Sequence, residues 1–340
     1  MTKSIRHTSL LALTTLALIV CDEAFAQQRI RTQFSDGNVP PAIIARPAEM
    51  LRQPNLLAPP TPMNGGSQRC RADYTLRFCV LATRNLTLDG NINTDSIGSP
   101  GSRSPRSNKC LLGCYGKADV SRGRIEHVYS EPDGFKWTTG DIGFSSGSTQ
   151  YTAPHPALPL LPVLRPSPSK RLVANPQVSG GFSDVIQPAP NEIYDISLIA
   201  KKLSRGHRVD LNLGAGDYIS GGLNVSSIRV QPNQKVRLFL TDNANVDGYA
   251  FVSGVNGRVG VESFREGKAV NFQIWYNGQG TIKLDHNTTF CGIIYAPNAR
   301  VEMGEGNCSF EGAVIARDIN CEGNIHFTYD EDLARVALDK

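Results

Sequence analysis

The residues best suited to chemistry gather near the C-terminus, where His326, Asp330, Glu331 and Asp332 lie close together. One imidazole with three carboxylates offers ligands for a divalent cation, or an acid and a base for proton transfer. The same acids also suit the first turn of a helix, where they cap free N–H groups and favour the positive end of the dipole. The run DEDLARVALDK has that pattern, so we read Asp330 and Glu331 as a helix start. Asp285-His286 is a second candidate, with Asp318 as a partner carboxylate further along. Glycoside hydrolysis needs two carboxylates flanking one bond. Acids at turns more often serve backbone or solvent, and neither residue is assigned a catalytic role. The stretch TDNANVDG (241–248) alternates oxygen ligands as a calcium loop does, but lacks the downstream Glu of an EF-hand and reads as a turn. No GxSxG, HExxH, P-loop or GxGxxG in a strand-to-helix context is present. No catalytic residue, metal ligand or cofactor is therefore expected.

These residues sit in a repeat. Phe290, Gly292, Ile294 and Ala296 recur as Phe310, Gly312, Val314 and Ala316, a shift of 20 at all four positions. Ile274, Tyr276, Ile282 and Leu284 precede Ile293, Tyr295, Val301 and Met303 by 19. A short fixed period with alternating apolar residues is what stacked β turns require, because each turn buries its inward side chains only against a neighbour. The pattern predicts an all-β fold: a right-handed parallel β-helix (β-solenoid) with rungs of about 20 residues and a short C-terminal capping helix. Ile274, Tyr276, Ile282, Ile293, Tyr295, Val301, Val314 and Ile319 are expected to point inward, with Phe290 stacked on Phe310. Tyr276 and Tyr295 should share a face, so that with Trp275 and Phe239 they form a core ladder more readily than a binding strip. A helix is also expected over 195–205.

Residues 1–26 read as a secretory signal: Lys3 and Arg6, an apolar run from Leu10 to Val20, then Ala24-Phe25-Ala26 before Gln27. Cys21 raises lipoprotein processing as an alternative, but the bulky Val20 precedes it. No later segment is long and apolar enough to span a bilayer. Residues 27–66 form a Pro-rich tether, 67–150 an N-terminal β segment of or flanking the solenoid, 151–190 a Pro-rich connection, and 191–340 the solenoid. Leu158, Leu160, Leu161 and Leu164 in the connection suggest that it packs along a surface. The net charge of +4 is too mild to argue for nucleic acid. An exported chain resides where disulfides form. Cys70 with Cys79 or Cys110 with Cys114 are the expected local pairs, and Cys308 with Cys321 the C-terminal pair.

The blocks GIIYAPNARVEM, FEGAVIARDI and GNIHFTYDEDL resemble the C-terminal signature of an uncharacterised bacterial β-solenoid domain of PilX-like type IV pilus-associated and other surface proteins. Gly292, Tyr295, Ala296, Pro297, Asn298 and Ala299 carry the first block, and Phe310, Gly312, Ala313, Ala316 and Ile319 the second. Ile325, His326, Tyr329 and Asp330 carry the third, with two extra residues inserted. The resemblance implies a solenoid over about 190–333 and supplies no catalytic residues. Such pilus proteins carry an N-terminal transmembrane helix, whereas this chain has a cleavable signal, so assembly into a pilus shaft is not expected.

The sequence thus points to a non-catalytic structural or adhesive solenoid, periplasmic, extracellular or at the cell surface. Its expected partners are envelope or pilus proteins or surface glycans, with self-association by end-to-end stacking as a further option. A polysaccharide-active β-helix enzyme is the alternative. N-terminal sequencing of the exported protein is expected to begin at Gln27. A lipid-modified Cys21 or a retained Met1 would contradict that processing.

Overall fold

The computed structural model describes residues 76–98, 109–125, 127–130, 135–137, 149–152, 164–174, 184–198, 210–241, 249–262 and 268–335. The signal, the tether, Cys70, residues 242–248 and most of the expected 195–205 helix lie outside them.

Alternating β-branched and aromatic residues broken by Gly and Asn corners produce short strands, and all their pairings are parallel. The pairings sort into three sheets. Sheet 1 runs β7 (Arg171–Ala174), β8 (Glu192–Asp195), β10 (Gly216–Ser220), β13 (Val236–Leu240) and β16 (Phe272–Tyr276). It continues through the middle of β18 (Thr289–Met303) and of β19 (Asn307–Glu322), then the start of β1 (Val80–Ile97), β2 (Leu111–Cys114), β4 (His127–Ser130) and β6 (Thr149–Thr152). Sheet 2 holds β11 (Leu223–Val225), β14 (Tyr249–Ser253) and β17 (Thr281–Leu284), the later parts of β18 and β19, the middle of β1, β3 (Lys117–Arg124) and β5 (Phe135–Trp137). Sheet 3 holds β9 (Asp210–Leu213), β12 (Ser227–Val230) and β15 (Arg258–Val261), the first residues of β18 and β19, β20 (Asn324–Asp330) and the end of β1.

The chain passes from sheet 1 to 2 to 3 and back, which winds it into a coil around one apolar interior. Its spatial order is not its sequence order. β1 pairs with β19 and β20, so the N-terminal block stacks beyond the C-terminal turns. The capping-helix expectation is corrected on this point. Glu331–Arg335 form a 3₁₀ turn, and β1 already covers the edge that a cap would have protected.

Phe290 pairs with Phe310, their rings stacked at 4.8 Å and 11°. Phe272 and Phe327 extend the aromatic column at 6.0 and 5.8 Å. The turns are of unequal length: Gly216 pairs with Val236, 20 positions on, but Val236 pairs with Phe272, 36 positions on. The extra residues include the 3₁₀ turn Ala269–Asn271.

Two residues expected to point inward, Ile293 and Tyr295, do not. Ile274 pairs with Ile294 and Trp275 with Tyr295, a shift of 20, whereas Ile282 pairs with Val301, a shift of 19. The corner after Tyr276 is one residue longer than the corner after Ala296. A one-residue slip exchanges the two faces of a strand. Ile293 and Tyr295 therefore lie on the outward side of sheet 1 with Trp275, while Tyr276 points inward. Both tyrosines are nonetheless buried.

The repeated F-x-G has a backbone cause. Gly312 sits at φ +127°, and a Cβ there would lie 1.9 Å from the Gly292 carbonyl oxygen. Adjacent rungs approach too closely at this corner for any side chain. Gly312→Ala is expected to cost about 2 kcal/mol or more in a denaturant titration, by backbone strain plus the clash. An unchanged midpoint would contradict the packing.

Candidate functional site

Sheet 3 carries the most unusual electrostatics. Cys291, Glu311, Thr328 and Asp95 are successive partners on its outward side. The 3₁₀ turn lies against β18 and β19 here, and the Ala269 N–H donates to Asp330 Oδ2 at 3.0 Å. Glu311 and Asp330 are 2% and 1% exposed. Glu311 Oε1 has no hydrogen-bond partner among the described residues. Burial, reinforced by the Asp330 charge, pushes the Glu311 carboxyl up to about 8, outweighing its bond with the Cys291 thiol. Burial also raises Asp330, against the lowering effect of the Asp332 and Ala269 N–H donors. At neutral pH Glu311 is a largely protonated acid inside the wall of the coil. The sequence reading passed over it, although a lone Glu inside the apolar run from Phe310 to Ala316 was the available signal.

The structure separates the acidic cluster read from the sequence. His326 Nε2 meets Asp95 Oδ2 at 3.0 Å, and that bond raises the imidazole against the effect of burial. Glu331 bonds Ser96 Oγ and Lys109 Nζ instead. Asp330 caps backbone: its Oδ1 accepts the Asp332 N–H at 3.0 Å. Among the described residues no group of three His, Cys, Asp or Glu side chains is placed to hold a metal.

Asp285 and Asp318 do not converge. Leu284 pairs with Met303 and Met303 with Cys321, so Asp285 stands over the Gly304 corner, and its further neighbour is the Glu322 end of β19. Asp318 lies at the opposite end of that strand segment, beside Arg300. His286 Nδ1 contacts Asp285 Oδ1 at 2.5 Å and its Nε2 lies 3.5 Å from Glu305. Asp318 accepts from Arg84 at 2.9 and 2.8 Å and from Arg317 at 2.8 Å. Burial alone would raise its carboxyl, but these arginines hold it below the usual range.

An asparagine ladder at the corner between sheets 2 and 3 was not foreseen. Asn287 Nδ2 donates to Asn256 Oδ1 at 3.1 Å, the Asn307 N–H to Asn287 Oδ1 at 2.8 Å, and Asn324 Nδ2 to Asn307 Oδ1 at 2.9 Å. Asn256 and Asn287 adopt positive φ, which Asn tolerates better than most residues. Their separations of 31, 20 and 17 positions hid the ladder in the sequence.

The six described cysteines are buried, and Cys79, Cys291, Cys308 and Cys321 are free thiols. Cys110 and Cys114 cannot form the expected local bridge, because four extended residues separate their Cα atoms by ~13 Å where a disulfide allows at most about 7 Å. The Cys308 thiol donates to the Asp285 and Gly304 carbonyls, both at 3.8 Å. Cys321 is held far above its usual range by burial, with Cys308 a smaller contributor.

The raised Glu311 carboxyl fixes a sign. The contribution of Glu311 to folding stability is complete at low pH, where both states hold the proton. It falls as pH rises from about 4.5, the ordinary value, through about 8, because only the unfolded chain releases the proton readily. Glu311→Gln is expected to flatten the melting temperature across that window. A wild-type slope retained in the variant would place the titration elsewhere.

A family described as a domain of unknown function (DUF7305) matches residues 202–336, which span β9 to β20. No curated protein matches the chain. Two solved structures are similar to it. An ice binding protein from an Antarctic biological consortium is 10% identical over 80% of this chain and 96% of its own, with a TM-score of 0.38. The DUF3494 domain of Shewanella frigidimarina ice-binding protein 1 is 12% identical over 82% of this chain and 99% of its own, with a TM-score of 0.33.

Proposed function

We infer that the protein is a secreted, non-catalytic structural or adhesive solenoid of the bacterial envelope or surface. The observation that carries this reading is the outward side of sheet 2. Thr281, Arg300, Asp318, Asn85 and Lys117 form one continuous row, and Lys283, Glu302, Asn320, Thr87 and Asp119 a parallel one. Successive side chains in a row stand ~4.8 Å apart. A flat, regularly spaced lattice of hydroxyl, amide and charged groups suits a repeating polar polymer, of which surface glycans are the natural class, or the surface of an envelope or pilus protein. The carboxylates that a hydrolase would need are tied up in separate ion pairs. We read the coil as right-handed, because crossovers between parallel strands strongly favour that hand. Among the described residues no helix is long and apolar enough to cross a membrane, in keeping with an exported chain held by protein or glycan contacts.

The purified mature protein is expected to be retained by envelope fractions or a glycan array, and to lose that retention on Lys283→Ala with Thr87→Ala while its melting temperature holds. Glycan degradation abolished by Asp285→Ala would replace this reading with an enzymatic one.

Self-association has one observation in its favour. β7 is paired on one side only among the described residues, and its Leu172 is 56% exposed. An unpaired parallel edge is a template for another coil. Filaments in electron micrographs that vanish with Leu172→Lys would support polymerisation, and a monomer at high concentration would exclude it.

A further inference from the structure

The outward side of sheet 1 should be wet, as outer faces of a solenoid are, yet its central row is dry. Trp275, Tyr295, Ile315 and Leu81 stand on successive strands and are 1%, 0%, 0% and 1% exposed. Phe239 extends the row, its ring 5.1 Å from Trp275, and Arg237 stacks over both rings. Sheet neighbours flank these side chains without covering them. The 3₁₀ turn lies at the other edge, where Gln273 donates to the Val270 carbonyl at 2.9 Å. Something else excludes water from four large apolar groups.

Connectivity limits what that is. β6 ends at Thr152 at one end of sheet 1, and β7 begins at Arg171 at the other. Ten strand-to-strand steps separate them, which at ~4.8 Å each is about 48 Å. The 18 residues between them would span only about 27 Å as an α-helix. As polyproline II they span about 56 Å. Six of the 18 are proline, which fixes φ near that conformation. A connection of this length has little slack beyond a straight path between the two ends.

The described end of the connection, from Leu164 onward, lies beside sheet 1. Asn277 Nδ2, at the end of β16, donates to the Leu164 carbonyl at 2.7 Å, and Leu164 is 4% exposed. Lys170 Nζ then meets Asp217 of β10 at 2.9 Å. From Leu164 back to β6 six steps remain, about 29 Å, and residues 153–163 reach about 34 Å in polyproline II. A straight path between these points would cross β18, β19 and β1 beside Tyr295, Ile315 and Leu81.

We propose that the outward apolar row of sheet 1 is a docking site for residues 153–163 of this same chain, laid along the coil as an extended strap. Leu158, Leu160, Leu161 and Val163 supply the apolar cover. The strap binds the N-terminal block to the C-terminal turns along their common face, in addition to the β1 pairings. This inference is independent of what sheet 2 binds.

The test uses the mature chain in a Trp137→Phe background, so that Trp275 reports alone. Leu158→Asp with Leu160→Asp and Leu161→Asp should red-shift Trp275 emission and raise its acrylamide quenching, with far-ultraviolet circular dichroism retained. Leu160→Ala, a smaller truncation checked by the same circular dichroism, should move both readouts the same way by less. Three results would overturn the proposal: emission unchanged in both variants, a red shift of the parent on dilution with a dimer in sedimentation, or the same exposure on deleting 27–66. The first denies the cover, the second assigns it to a second copy, and the third to the N-terminal segment.

Discussion

The structure depends on one parallel pairing between residues far apart in sequence: Val80, Leu81 and Ala82 against Val314, Ile315 and Ala316. Without it the C-terminal turns would end at β19 and β20 with open backbone edges, and the N-terminal strands would have nothing to stack on. With it the two blocks share one interior. The pairing continues around two corners, as Leu86 meets Ile319 and Ile92 meets Ile325, so β1 completes a whole turn over its neighbours. Because β1 sits at the C-terminal end of the stack, the chain must return along the whole coil to begin β7. A non-local arrangement of this kind carries a large loop-closure cost and is expected to fold slowly.

The wall of the coil is built on pairwise neutralisation. Asp217 is nearly fully buried and lies within 2.7 and 2.8 Å of Arg237 and 2.9 Å of Lys170. Burial would raise its carboxyl, but the two cations outweigh that and hold it low. Asp318 is treated similarly by Arg84 and Arg317. A buried charge without a partner is costly, and a buried acid avoids the cost by keeping its proton. Glu311 is treated that way, with Asp330 and Cys291 around it. The polar groups facing solvent in regular order are left mainly on sheet 2.

Parts of this were legible in the residues and parts were not. The Phe290 and Phe310 rung could be read because the spacing there is uniform and glycine is obligatory beside it. Tyr295 could not be placed, because the one-residue difference between the corners after Tyr276 and Ala296 leaves the apolar pattern almost unchanged while exchanging the faces. The partners of Glu331, Lys109 and Ser96, come from a block more than 200 residues away, as does Asp95 beside His326, and so left no local signal. Stacking of β1 to β6 onto the C-terminal end had no local signal, since parallel partners share neither a turn nor a fixed spacing. The Pro-rich connection was recognisable by composition, and its leucines hinted at packing. Its direction follows only once β6 and β7 are placed at opposite ends.

Native-state hydrogen exchange on the mature protein tests the shared interior most directly. If β1 and β19 are one cooperative unit, the amides of 80–97 and 312–322 should exchange with the same, slowest protection and lose it together as denaturant is raised. Free exchange of 80–97 while 289–330 remains protected would contradict the stacking on which the rest of the account stands.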